Sequence, residues 1–477
     1  MTSKSTIRGG LSFQAQPFGN IETIPLPKTI RIHKEETTSA SVATGDQVLK
    51  GQALTHGTTV APAHHASTSG VVVDISDQFI TIESDCKDTA FHTPDSQPGT
   101  STKLIEAFNK SGLVGLGGAA FPVTEKIVSA NNIADKNNRQ IDTLLINAAE
   151  CDPAIACDEA LIQERTEQIV KGIELAIAAT GTRQCIVGIE ENKSEAIKRL
   201  NECLPDSITL TRVPATYPSG AEELLYSLCT GRSGTLKANN SLCFNIGTCY
   251  AMYRAVHLLE PLISRVVTVV TDNKMRNFEL RIGTPIKDLT AFLNLPEHLE
   301  IISGGIMTGS EVTADHSIRK QTNSLLFRTS EKHQTTACIR CGECAEVCPR
   351  YLFPQQLFWH TAPHNRTALL DLRLEHCIEC GCCDAVCPSH IPLTQHFIVA
   401  KANIRHQIKE QQKAEVAKSR FEARQQRLNN QNNRERHQLE KKSSDLGSST
   451  QNAQYKKDLI AKALQRSSQK NQPANKP

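Results

Sequence analysis

Apolar residues along this chain change their period several times, and each change marks a new module. From residue 28 to 84, short β-type runs alternate with turns: "KTIRIHK", "VATGDQVLKGQAL" and "GVVVDISDQFITIES". From 101 to about 261 the pattern is α/β. "DTLLIN", "CIVGIE" and "SITLTRV" are strand-length apolar runs. Between the first two lies "DEALIQERTEQIVKGIELAIAATG", with Ile162, Thr166, Ile169, Val170, Ile173 and Ile177 at helical spacing. Asp158 is placed to cap its start and Gly181 its end. A strand–helix–strand order of this length predicts a parallel sheet, whose ligands gather at the carboxyl ends of the strands. From 262 to 328, β-type runs return ("SRVVTVVTDNK", "NFELRIG") around a short helix, "PIKDLTAFLN". Few apolar residues recur after Ile408, so residues 401–477 read as a polar tail, either a solvated helix or disordered.

A chain of 477 residues has room for several domains, and its net charge of +3 points to no particular partner. The charge is uneven, however. The tail carries 18 Lys and Arg against 7 Asp and Glu, a net of +11, which leaves about −8 on the remainder. "MTSKSTIRGG" lacks an apolar leader segment, and no run of 18 apolar residues occurs. The expectation is a soluble polypeptide that reaches a membrane only through a partner.

The 17 cysteines change the picture. Eight fall in "CIRCGECAEVCP" (338–349) and "CIECGCCDAVCP" (377–388), each C-x₂-C-x₂-C-x₃-C-P, the spacing that holds cubane iron–sulfur clusters. The first three thiolates of a motif wrap one cube, and the fourth, before proline, ligates the other. Cys338, Cys341, Cys344 and Cys387 are thus expected to hold one 4Fe–4S cluster. Cys348, Cys377, Cys380 and Cys383 are expected to hold the second. Zinc ribbons need four ligands as two C-x₂-C pairs, which leaves two full quartets ending in Cys-Pro unexplained. Cys382 fits neither quartet and reads as a bystander. "PHNRTALLDLRLEH" between the motifs predicts a helix, and so a helical ferredoxin-type domain over 329–400. So many closely spaced thiols indicate a reducing compartment.

A second motif is glycine-rich. In "SGLVGLGGAAFPVTEK" (111–126), Gly115, Gly117 and Gly118 precede a helix and would let backbone N–H groups approach a phosphate. Such turns are common, and alone this one reads more readily as a tight turn. It is followed by "LLINAAECDPAIACDE", which sets Asn147, Glu150, Asp152 and Asp158 just past an apolar strand.

"GLGGAAFPVTEK" followed by "NAAECDP" resembles the flavin-binding, NADH-oxidising subunit of respiratory complex I. The whole order of parts is similar to the RnfC component of the Rnf (or Rsx) electron-transport complex: "GDQVLKGQ", "HASTSG", "GIEENK", "YPSGAEELL", "NIGT", "RIGTP", "SGGIMTG" and the two cysteine motifs. The resemblance covers residue 8 to about 400. It implies non-covalent FMN, NADH as hydride donor, and membrane subunits as partners. Gly115, Gly117, Gly118 and Lys126 would surround the FMN phosphate and ribityl chain, and Asn147 and Glu150 would flank the ring. Glu222, Glu223 and Asn245 would complete the site, and Asp152 would stand near the nicotinamide approach. The sequence departs from the family pattern at Asp152, where glutamate is usual, and at Ala120 and Ala148, where glycine is.

The fold class expected is therefore multidomain α/β and α+β. Gly45–Gln52 looks like part of a biotinyl or lipoyl barrel-sandwich. The matching hairpin, His64–Gly70, has no lysine to carry a group, and His64 and His65 are expected on its polar surface. The modules are a barrel-sandwich (1–100), an α/β FMN/NADH domain (101–261), a β-grasp-type module (262–328), the two-cluster domain (329–400) and the basic tail (401–477). The implied place is the cytoplasmic face of a bacterial inner membrane, with ferredoxin a further candidate partner. The implied role is electron transfer coupled to ion translocation. Two other readings stay open: a flavin-less relay and docking subunit, and part of a complex that keeps a redox-sensing transcription factor reduced. The tail, with Phe421 and Tyr455 its only aromatics, suits anionic lipid or an acidic partner, and no nucleic acid is expected.

Overall fold

The computed structural model describes residues 7–470 apart from 8, 15, 37, 92–99, 137–139, 273, 331–333, 363 and 446–452. Its first strand, β1 (Phe18–Thr23), pairs with a strand far along the chain. β2 (Thr29–His33), β3 (Gln47–Val48), β4 (Gly70–Ile75) and β5 (Phe79–Ser84) form an antiparallel sheet in the order β2-β5-β4-β3. Alternation in β2 and β5 sends Ile30, Ile32, Ile80 and Ile82 into the core. His64 and His65, expected at the surface, are buried. The reason is a neighbour remote in sequence: the buried Lys320 ammonium donates to the carbonyls of Ala63 and Gly112, each at 2.9 Å, and closes the turn from above. His64 Nε2 lies 3.0 Å from a Glu35 carboxylate oxygen.

The α/β region follows the predicted pattern. Its elements are α1 (Ser101–Lys110), α2 (Val123–Lys136), β6 (Thr143–Asn147), α3 (Cys157–Thr180), β7 (Gln184–Glu190), α4 (Ser194–Cys203), β8 (Ile208–Val213), α5 (Glu222–Thr230), β9 (Ser241–Asn245) and α6 (Ile246–His257). All four strands are parallel, in the order β8-β7-β6-β9. The strands read as unbroken apolar runs because helices cover both faces. The strand order reverses between β6 and β9, which opens a crevice beyond their carboxyl ends. Asn147 and Asn245, the last residues of those strands, are register partners at that point.

The next sheet combines a strand from near the N-terminus with strands from residues 264–328. β10 (Ser264–Thr271), β11 (Lys274–Arg281), α7 (Ile286–Phe292), β12 (Glu300–Ser303), β13 (Ser310–Val312) and β14 (Ser324–Arg328) give a mixed sheet ordered β1-β11-β10-β14-β12-β13. β1 pairs parallel with β11, so Phe18–Thr23 is an edge strand of this mixed sheet. Phe278, Leu280, Leu325 and Phe327 pack beneath Ile286 and Leu289 of α7.

Short helices follow: α8 (Glu343–Glu346), α9 (Pro354–Thr361), α10 (Arg366–Asp371) and α11 (Cys382–Ala385). The helix predicted between the cysteine motifs divides into α10 and a 3₁₀ turn, Leu374–His376. α12 (Leu393–Asp445) and α13 (Ala453–Lys470) complete the chain. Two compact units result, Met1–Ile398 and Val399–Pro477. The second is helical among its described residues, and every side chain from 410 to 444 is exposed. The tail's residues 446–452 and 471–477 lie outside the described residues. No helix among the described residues is long and apolar enough to cross a membrane.

Candidate redox site

A cleft of about 730 Å³ opens at the carboxyl ends of β6 and β9. That volume suits a cofactor-sized ligand. Leu116, Gly117 and Gly118 form one wall; Asn147, Glu150, Asp152 and Asn245 form the floor; Ser303 and Gly304 face them from the mixed sheet. Tyr217, Ile378 and Cys380 close one end. Of the residues expected around a flavin, Gly117, Gly118, Asn147, Glu150, Asp152 and Asn245 line the cleft, and Gly115, Lys126, Glu222 and Glu223 do not.

Each lining side chain has a definite local task. Asn147 donates from Nδ2 to the Gly220 carbonyl (2.8 Å) and accepts from the Ala149 N–H (3.0 Å), fixing the strand exit. Glu150 caps α3. Its carboxylate accepts from the N–H groups of Asp158 (3.0 Å) and Glu159 (3.1 Å) and from the Cys157 thiol (3.3 Å). The expected cap, Asp158, lies one residue inside the helix and accepts instead from Asn245 Nδ2. Gly181 ends α3 as predicted, at φ 63°. Asp152 fastens two loops together, accepting from Ala154 (2.9 Å), Ile306 (3.1 Å) and Met307 (3.1 Å) N–H groups. Lys126 pairs with Glu222 at 2.8 Å, and Glu223 pairs at 3.1 Å with Arg350, the residue that follows the first cysteine motif. Ala120 takes a left-handed backbone, φ 49°, where the family pattern has glycine.

The floor is acidic, and its carboxylates are buried. Burial, opposed by Lys193, pushes the Glu150 carboxyl up. Burial first, and then the Glu150 charge, push Asp158 up. Burial likewise takes Glu190, at the end of β7, up to about 7. Donor atoms of Glu150, Cys157 and Asp158 all lie within 4.8 Å of one another. Such a cluster can hold a proton near neutral pH.

The two cysteine motifs fold alike. Left-handed residues recur at matching positions: Arg340 and Glu379, Gly342 and Gly381, Tyr351 and His390. Thiols group across the motifs. Burial raises the Cys344 thiol, a Gln355 N–H opposes it, and its thiol neighbours are Cys341, Cys338 and Cys387. The Cys348 thiol has Cys380 as its thiol neighbour. Cys382 is buried beside Cys380. Eight closely spaced cysteines with thiols meeting across the two motifs are a donor set that suits iron–sulfur clusters. The glycine wall fits a flat, phosphate-bearing cofactor: Gly118 faces open space, and a Cβ at Gly117 would sit 3.3 Å from the Asn245 Cβ.

Three family models match in chain order: an RnfC barrel sandwich hybrid domain (11–97), a Nuo51 FMN-binding domain (108–254) and a 4Fe-4S dicluster domain (337–391). A Salmonella arizonae protein, named as the C component of an ion-translocating oxidoreductase complex, is 35% identical over 99% of this chain and 72% of its own length. This chain belongs to that RnfC family. The Haemophilus influenzae Rd member is 38% identical over 86% of the chain, and the match spans about half of that relative, 53%. A looser likeness, TM-score 0.43 at 19% identity over 58% of this chain and 57% of the other, is to an NAD+-reducing [NiFe]-hydrogenase in the air-oxidized state.

Tyr217 and Arg265 are absent from the expected site. Arg265, fully buried, donates from Nη2 to the Leu116 carbonyl at 3.2 Å and so supports the glycine wall from behind. Neither had a spacing signal, because each acts on residues more than a hundred positions away.

Proposed function

We propose that this chain is the NADH-oxidising entry subunit of a membrane-bound electron-transport complex. In this reading it passes electrons from NADH by way of FMN and two 4Fe–4S clusters to membrane subunits, coupled to ion translocation. The observation that carries the reading is a cleft at the sheet's switch point whose wall is the glycine loop and whose end is a cluster cysteine, Cys380. FMN, when bound, takes a hydride and yields electrons singly, which bridges a two-electron donor and one-electron acceptors.

The chain's own residues would do the rest. Gly117 and Gly118 let the backbone approach the cofactor, and Asn147 and Asn245 fix the strand ends beneath it. Glu150 and Asp158 hold a proton in the floor. Gly115, Lys126, Glu222 and Glu223 stand further back and would shape the site through the loop and the start of α5. The quartet Cys338, Cys341, Cys344 and Cys387 would hold one cluster, and Cys348, Cys377, Cys380 and Cys383 the other. We read the mixed sheet with α7 as β-grasp-type, and we place the subunit peripherally on the cytoplasmic face. Ferredoxin is a candidate partner there, and the basic tail would meet anionic lipid or an acidic partner.

Anaerobic reconstitution of the full chain with iron, sulfide and FMN tests this. Flavin binding, bleaching on NADH addition and the rise of reduced-cluster spin signals are expected. Clusters that form while flavin fails to bind, or NADH changes nothing, would leave a relay and docking role, consistent with a Lys126 already paired to Glu222.

A further inference from the structure

The two cysteine motifs are near-repeats in backbone, yet their surroundings differ. Gly342 and Gly381 follow the second cysteine of each motif, at φ 88° and 75°. Around Gly342 nothing lies within 4 Å of where a Cβ would stand, and at Gly381 the Met307 carbonyl oxygen would be 2.4 Å from it. Cys341, just before Gly342, is exposed, and its neighbour Ile339 is 67% exposed. Cys380, just before Gly381, lines the cleft.

Two ties hold this second turn to the cleft, and a third ties in Cys348 of the first motif. The Tyr217 hydroxyl donates to the Cys380 carbonyl at 2.7 Å, and Tyr217 itself lines the cleft and is buried. Met307, which abuts Gly381, belongs to the loop that Asp152 clasps from the cleft floor. Finally, the N-terminal segment joins Tyr217 to the residue before Cys348. Leu11 and Tyr217 exchange backbone hydrogen bonds at 2.9 and 2.8 Å, and Gly10 donates to the Val347 carbonyl at 2.8 Å. Cys348 and Cys380 are both assigned to the same quartet.

We propose that the quartet Cys348, Cys377, Cys380 and Cys383 is the electron entry from the cleft, that the quartet Cys338, Cys341, Cys344 and Cys387 is the exit, and that Tyr217 is the positioning residue that holds the entry quartet against the cleft. This rests on the NADH–FMN reading above. The balance closes within the chain: one NADH and two oxidised clusters give NAD⁺, one proton and two clusters each reduced by one electron. The proton leaves through the cleft. The first electron passes on to the exit quartet, and the second stays on the entry quartet until the exit empties.

The test uses the full chain with both clusters rebuilt. In a dithionite titration followed by electron spin resonance, without NADH or FMN, Tyr217→Phe should shift one cluster to lower potential and leave the other unmoved. Loss of a donor near a cluster disfavours its more negative, reduced state. The shifted signal should be the one missing from Cys380→Ser. No shift, or a shift in the signal missing from Cys341→Ser, would overturn the assignment of Tyr217. With NADH and FMN, the Cys341→Ser chain should still reduce its remaining cluster. The Cys380→Ser chain should not, although dithionite reduces it, and the reverse pattern refutes the order. Should either cysteine variant lose both clusters, Gly381→Ala and Gly342→Ala replace them: only the former should perturb the signal that Tyr217→Phe shifts, and an equal effect of both counts against the proposal. If NADH reduces nothing in the unaltered chain, the NADH reading fails while the dithionite titration still decides the role of Tyr217.

Discussion

Glu190 shows how much a single residue concedes to the site. It ends β7 with 1% of its surface exposed, and its carboxylate accepts the Glu150 N–H at 3.0 Å. Burial takes its carboxyl up to about 7, against a usual value near 4.3. A raised folded-state value means the folded chain binds more protons than the unfolded chain between those two values. Stability contributed by this group is therefore present at low pH and lost as pH rises through about 7. Glu190→Gln removes that dependence. We expect the variant to gain on the parent between pH 5 and pH 8, by about 1–3 kcal/mol in denaturant unfolding. A difference independent of pH would mean Glu190 stays ionised throughout. At the same scale, the sequence announced Asn147, Glu150, Asp152 and Asp158 by their place after a strand, and Asn245 only through the family resemblance. Their tasks were not legible. Glu150 caps a helix that starts a few residues on, and Asp152 fastens a loop whose Ile306 and Met307 N–H groups arrive from another part of the chain.

Among elements, the clasp at Asp152 matters most. It joins the turn between β6 and α3 to the loop between β12 and β13 by three N–H groups on one buried carboxylate. Asp152→Ala leaves these donors without their acceptor, a loss of about 2–4 kcal/mol in global stability. Amide exchange should quicken first at Ile306 and Met307, before the strands of either sheet. Uniform quickening would instead show that the loop has no independent motion. Here the elements themselves were well foreseen. The strands at Thr143–Asn147, Gln184–Glu190 and Ile208–Val213 and the helix ending at Gly181 follow from apolar period and a glycine stop. β1 was not foreseen as a partner of β11, since a strand's own pattern names its buried face but not its neighbour.

On the scale of the whole molecule, the chain divides its charge as it divides its packing. Side chains from 410 to 444 are exposed without exception, on a helix whose ion pairs, such as Lys413–Glu410, are themselves exposed. Such pairs contribute little to stability. Removing residues 410–477 should leave denaturant unfolding of the first unit within about 0.5 kcal/mol of the full chain. Binding to anionic vesicles at low salt should weaken in the same variant, and unaltered binding would place the contact elsewhere.

The sequence by itself determined the cofactor chemistry and the order of parts. Thiolate spacing, strand period and the glycine turn are local signals, and short-range sterics and ligand geometry fix what each can form. Only the tertiary structure decided which of two near-identical cysteine motifs faces the cleft, that His64 and His65 are buried, and that Phe18–Thr23 pairs with β11. Those outcomes depend on contacts such as Tyr217 with Cys380 and Lys320 with Ala63, between residues far apart in the chain. The free energy of such contacts comes from burial and pairing once the chain has closed, so no stretch of sequence carries their signature alone.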